Sequence, residues 1–166
     1  RVAVEKSVAD FLALDLPGTK VVVGDGPARA RLEADYPEAV FTGYRTGEDL
    51  VRTLSDADVF VFPSRTDSLG LVLFEAMACG VPVVAYPVTG PNNVVAHGVT
   101  GYLDEDLGRA ARAALALEPA DCRAAAGRRS WRECTEAFVA NLAARDAAQR
   151  TMTPGGEGHA HSGTGR

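Results

Sequence analysis

Apolar residues along this chain come in short unbroken runs, separated by stretches with helical spacing. The runs fall at residues 20–23 (Lys20-Val-Val-Val23), 39–41, 58–62 (Asp58-Val-Phe-Val-Phe62), 81–85 and 101–103. Each has strand length and lacks polar alternation, as in strands covered on both faces. Between them, residues 27–36, 47–55 and 71–79 carry apolar positions three and four apart, the spacing of amphipathic helices. This alternation predicts an α/β fold with a doubly wound, Rossmann-like parallel sheet. Residues 5–14 read as a helix ahead of the first strand. In such sheets ligands sit at the carboxyl ends of the strands, so Gly24-Asp25-Gly26, Thr42-Gly43-Tyr44, residues 63–70 and residues 86–90 are expected on one rim.

Beyond Asp104 the pattern turns wholly helical, with segments expected at 107–117, 119–129 and 130–145. Ser130 with Glu133 spells a capping box. Trp131, Cys134, Phe138 and Leu142 then share one helix face, read as packing. From Thr151 the residues are Gly, Ser, Thr, Pro and His with nothing to bury, so a disordered tail is expected. The expected division is a domain over 1–148 and a tail over 149–166. Because Arg1 is no initiator Met and residues 5–14 read as a helix of something already under way, the chain reads as a fragment of a larger protein.

Composition narrows the function classes. With 166 residues, 46% of them hydrophobic, there is material for one domain with a true core. A net charge of −5 argues against nucleic acid as a partner, since the phosphate backbone calls for a basic face. Cys79, Cys122 and Cys134 follow neither a disulfide framework nor a zinc spacing, and they read as reduced thiols of a cytoplasmic protein. No window has the apolar length of a membrane span.

The densest chemistry lies in residues 63–85. Pro63-Ser64 ends an apolar run, Gly70 permits a close backbone approach, and a helix is expected from Leu71. Free N–H groups at that helix start, with the positive end of its dipole, form a seat for an anion. Asp67 and Glu75 lie eight residues apart, one in the turn and one on the helix, which sets them up as acceptors for sugar hydroxyls.

Taken together, Arg1 with Lys6, Gly24-Asp-Gly-Pro27, Phe41-Thr-Gly43, Pro63-Ser64 followed by Asp67, Gly70-Leu-Val72, Glu75-Ala-Met-Ala-Cys-Gly80-Val-Pro-Val-Val-Ala85 and Gly98-Val-Thr-Gly101 resemble glycosyltransferase family 4, of the GT-B fold. The resemblance runs over residues 1–103. It implies the carboxy-terminal, donor-binding half of a two-domain retaining enzyme, which transfers a hexose from a nucleotide diphosphate sugar to an acceptor hydroxyl. An acceptor glycan or lipid would be bound mainly by the amino-terminal half, so this chain alone is expected to be inactive. Arg1 and Lys6 match the basic pair on the donor diphosphate, where cations act on developing charge. Asp67 stands where the family usually has a glutamate beside the transferred sugar. Glu75 matches the glutamate on the ribose hydroxyls. Backbone groups of Leu69, Gly70 and Leu71 would hold phosphate and sugar oxygens, and Gly43 with Tyr44 would border the base, where Tyr44 could stack. Asn93 takes the place of an acidic residue. The resemblance also implies a location in the cytoplasm or at the inner face of the membrane, with peripheral membrane association of the full-length enzyme.

Other signals are set aside. Asp56-Ala-Asp58 spells a metal-binding Asp-x-Asp, but it precedes a strand at the end opposite the rim, so no metal and no further cofactor is expected. Gly24-Asp-Gly26 lacks the third glycine of a dinucleotide fingerprint. His159 and His161 in a Gly-rich tail make no defined site, and His97 reads as a loop residue. Two alternatives stay open: a stand-alone nucleotide-sugar-binding module and a GT-B-like nucleotide-sugar epimerase.

Overall fold

The computed structural model describes residues 1–67 and 70–128. A 3-10 turn, Val4–Lys6, leads into α1 (Val8–Leu12). There follow β1 (Val21–Val23), α2 (Arg29–Asp35), β2 (Val40–Gly43), α3 (Gly47–Ser55), β3 (Phe60–Phe62) and α4 (Leu71–Ala78). The described chain closes with β4 (Val83–Ala85), α5 (Thr89–Asn92), β5 (Gly101–Leu103), α6 (Leu107–Ala114) and α7 (Pro119–Gly127). Every predicted strand is present: β1, β2, β3 and β4 start later than predicted, β2 runs on to Gly43, and β5 spans the predicted residues.

All strand pairs are parallel, as helical crossovers require. β1 pairs with β2, and β3, β4 and β5 form a second ladder with β4 at its centre. The three residues of β4 are fully buried. Val83 and Ala85 face a cluster that holds Leu73, Ala76 and Met77 of α4, Leu54 of α3 and Cys122 of α7. Val84 and Tyr86 face the opposite cluster, built on Leu107, Ala110, Ala111 and Ala114 of α6. Alternate residues of one strand therefore serve two cores, which is why the strand reads as an unbroken apolar run. A third cluster joins Val2 and Leu12 to Val22 of β1 and Leu32 of α2.

The expected helix at 5–14 is corrected. Ser7, at φ 50°, is left-handed and divides it into the 3-10 turn and α1. Its N–H bonds Val4 O at 3.0 Å and its carbonyl accepts from Asp10 N at 2.9 Å, so one residue closes the turn and opens the helix. Residues 86–90, expected on the rim, run into the short helix α5 from Thr89; Pro91 fits there because its missing N–H falls in the first turn. The helix expected at 107–117 ends at Ala114, and the one at 119–129 ends at Gly127. The helix expected at 130–145, with its Ser130/Glu133 box and its Trp131, Cys134, Phe138 and Leu142 face, lies outside the described residues, as do the boundary at 148 and the tail.

Candidate functional site

Strands run parallel within each ladder, so the segments after β1 and β2 leave one end of their ladder and those after β3, β4 and β5 leave one end of theirs; the predicted rim segments are these. The turn after β1 sets the position of the amino-terminal segment. Val2 N donates to Asp25 O at 2.8 Å, and a Cβ on Gly26 would fall 2.3 Å from Val2 O. Only a glycine lets the two backbones approach so closely. Val2 is thereby buried, and the turn that carries Lys6 follows directly from it.

Lys6 Nζ donates to Asp67 Oδ1 at 2.5 Å, across 61 residues of sequence. The two side chains are 28% and 25% exposed, dry enough for the pair to count and open enough to meet a ligand. Burial pushes the Asp67 carboxyl up, but the Lys6 ammonium and the Ser64 hydroxyl outweigh it, and the group is held below its ordinary value. Ser64 is 1% exposed; among the described residues its Oγ has no partner of regular hydrogen-bonding geometry, although it lies close enough to Asp67 to favour the carboxylate. Ser64 follows β3 by two residues, and its sequence motif carries no role for the hydroxyl.

Gly70 is the N-cap of α4, at φ 61° and ψ 65°, in the left-handed region that glycine tolerates. Among the described residues no side chain caps α4; Leu73 N donates to Gly70 O at 2.9 Å, which leaves the N–H groups of Leu71 and Val72 to meet an external anion. Leu69 lies outside the described residues. Glu75 is one turn further along α4 and exposed, on the side opposite buried Leu73, Ala76 and Met77. It borders an open hollow with Phe74, Ala78 and, from α7, Arg123, Ala126 and Gly127. Among the described residues no hydrogen bond or ion pair joins Glu75 to Lys6 or Asp67, so the two expected acceptors are not equivalent: Asp67 is already engaged by a cation and Glu75 is open.

The other expected residues are more dispersed. Arg1 is exposed and turned to Glu5, at 3.7 Å. Gly43 ends β2, where its carbonyl accepts from Gly24 N at 2.8 Å, and Tyr44 beyond it is 72% exposed. Asp56 caps the carboxyl end of α3 and Asp58 precedes β3, at the strand's amino end. Among the described residues no three His, Cys, Asp or Glu side chains gather as a metal cluster. His97 accepts from Leu103 N through Nδ1 at 3.2 Å and packs edge-on to Tyr102, a structural arrangement. Asn93 caps the carboxyl end of α5.

A family model described as Glycosyl transferases group 1 matches residues 9–118, and the chain belongs to that family. The GDP-mannose-dependent alpha-mannosyltransferase of Mycobacterium tuberculosis is 40% identical over 105 residues, which cover 62% of this chain and 28% of that protein. The sulfoquinovosyl transferase SQD2 of Arabidopsis thaliana is 39% identical over 111 residues, 62% of this chain and 22% of that protein. The chain thus spans less than a third of the curated relatives it matches. Among solved structures, Anabaena Alr3699/HepE in complex with UDP-glucose superposes with a TM-score of 0.68 at 21% identity, covering 87% of this chain and 47% of that one. TarM gives 0.69 at 21% identity, over 86% and 33%. These likenesses show the fold, the Rossmann-like half of a GT-B glycosyltransferase.

Proposed function

We propose that this chain is the donor-binding, carboxy-terminal half of a retaining glycosyltransferase of family 4, and that it binds a nucleotide diphosphate sugar whose hexose is transferred to an acceptor hydroxyl. The observation that carries this reading is the Lys6–Asp67 pair beside the uncapped start of α4. A cation and free helix N–H groups suit a diphosphate, and the carboxylate suits a sugar hydroxyl. Relatives named for GDP-mannose and a structural neighbour bound to UDP-glucose support a sugar nucleotide and leave the base open.

In this mechanism Lys6 and Arg1 meet the diphosphate as its charge grows on departure, and they act more strongly there than on the bound ground state. Backbone N–H groups at Gly70 and Leu71, with those of Leu69, share that charge. These cations would do the work of a metal ion, so none is required. Asp67 orients the hexose, Glu75 accepts from the ribose hydroxyls, and Gly43 with Tyr44 borders the base. The acceptor, a glycan or a lipid, is engaged by another domain of a cytoplasmic enzyme, at the inner face of the membrane when the acceptor is a lipid. Among the described residues no helix is long and apolar enough to cross a membrane.

Sugar transfer by the full-length protein from UDP-glucose or GDP-mannose, with the anomeric proton of the product read by NMR, tests the proposal. The α-linked product is expected from these α-linked donors; a β-linked product overturns retention.

A further inference from the structure

Arg65, Tyr86 and Glu105 follow β3, β4 and β5, so three neighbouring strand ends present them side by side. The Arg65 guanidinium carbon lies 3.5 Å from the centre of the Tyr86 ring. Its Nη2 donates to Glu105 Oε2 at 2.7 Å, which holds the cation over the ring. Tyr86 itself is 6% exposed, and its hydroxyl donates to Asp10 Oδ2 on α1 at 2.8 Å, across 76 residues of sequence. Burial and the bond to Asp10 push the tyrosine pKa up against the pull of Arg65, so the hydroxyl keeps its proton and remains a donor.

The far end of this relay is the helix next to Lys6. Asp10 stands on α1 four residues after Lys6, and Asp10 N bonds Ser7 O, the left-handed residue between the turn and the helix. Of its five residues α1 buries only Leu12 fully, with Val8 and Phe11 packed partly buried against the same cluster. Its carboxyl end is held by Lys20 Nζ, which donates to the carbonyls of Leu12 and Leu14 at 2.6 and 2.5 Å. Its first turn is held from the rim by Tyr86.

We propose that Tyr86 is a positioning residue for the donor site: through Asp10 it fixes α1, and α1 in turn aligns Lys6 with Asp67 and the start of α4. This rests on the reading that Lys6 faces the donor diphosphate. Arg65 and Glu105 hold the ring from the other side, so the relay joins β3, β4 and β5 to the amino-terminal segment.

A double-mutant cycle tests it, by calorimetric titration of UDP and of GDP into the wild type, Tyr86→Phe, Lys6→Ala and the double variant, with thermal unfolding of each. Tyr86→Phe keeps the ring under Arg65 and its packing against α6 but removes the hydroxyl. It is expected to weaken the favoured nucleoside diphosphate about three- to tenfold, the effect of one hydrogen bond. The double variant is expected to bind no more weakly than Lys6→Ala alone. Asp10→Ala is expected to match Tyr86→Phe and carries the same cycle if that variant does not fold, while Asp10→Asn, which keeps an acceptor, is expected to retain the affinity. Unchanged binding in Tyr86→Phe, or losses that multiply in the double variant, would overturn the positioning role. If Lys6→Ala itself binds as the wild type does, the reading of the donor site fails first, and the positioning role fails with it.

Discussion

Lys6 and Asp67 come from opposite ends of the folded unit's first half, and their charged atoms meet at 2.5 Å. The pair ties the amino-terminal turn to the loop ahead of α4. Because the native Asp67 carboxyl lies below its ordinary value, the pair's stabilisation is present in full above the unfolded carboxylate value of about 3.9. It disappears as pH falls through the lower native value. Lys6→Met is therefore expected to lower stability by about 1 kcal/mol at neutral pH, as for a pair that is partly open to solvent. Urea unfolding at stepped pH checks this, with the two proteins converging at the acid end. A gap that persists below the native value would mean that Lys6 stabilises by packing and not by charge.

Glu75 is exposed on α4, and removal of its carboxylate leaves the core untouched. Glu75→Ala is expected to weaken nucleotide binding by about 1.5 to 3 kcal/mol, the loss of a charge-assisted hydrogen bond. Stability is expected to move by less than about 0.5 kcal/mol, as for a surface substitution. An unchanged affinity in a folded variant removes Glu75 from the site.

Gly26 tests the turn that places Val2. A Cβ there would lie 2.3 Å from a backbone oxygen, an atom with no rotamer to escape by. Gly26→Ala is expected to cost about 1 to 3 kcal/mol of stability, as overpacking does. It should also weaken nucleotide binding, because the segment that yields is the one leading to Lys6. Calorimetry and thermal unfolding of one variant read both effects.

Gly70→Ala places a side chain at φ 61°, with its Cβ 3.1 Å from Leu73 Cγ. The left-handed conformation costs about 1 to 2 kcal/mol. Stability is expected to fall by that much, and the seat at the start of α4 to be disturbed, so the affinity for inorganic pyrophosphate falls with it. Full retention of pyrophosphate binding would place the anion elsewhere.

The fold was legible because β4 and its neighbours are apolar on both faces and are separated by helices with clear spacing. Residues 47–55 gave α3 to the residue, since Thr46 and Asp56 bound an unambiguous amphipathic stretch. The helix at 5–14 misled because nothing local marks Ser7 as left-handed; the segments on either side of it are tied to distant partners, Val2 to the Gly26 turn and Lys6 to Asp67 before it, and Asp10 to Tyr86 after it. α5 left no helical spacing in the sequence, because it is a single turn of four residues that includes Gly90 and Pro91. Local pattern placed Gly70 in the turn and Glu75 on the helix that follows, where the structure has them. Pairings between distant segments carried no such signal: Lys6 with Asp67 and Tyr86 with Asp10 arise from tertiary packing of segments that sequence spacing cannot bring together.

The most direct test of the donor-domain account is calorimetric titration of this chain with UDP, GDP, ADP and their glucose or mannose conjugates, without metal and again in EDTA. The account predicts saturable binding of one nucleotide and its sugar conjugate, unchanged by EDTA and weakened by Lys6→Ala. Binding of none of them, or binding that EDTA abolishes, would contradict it.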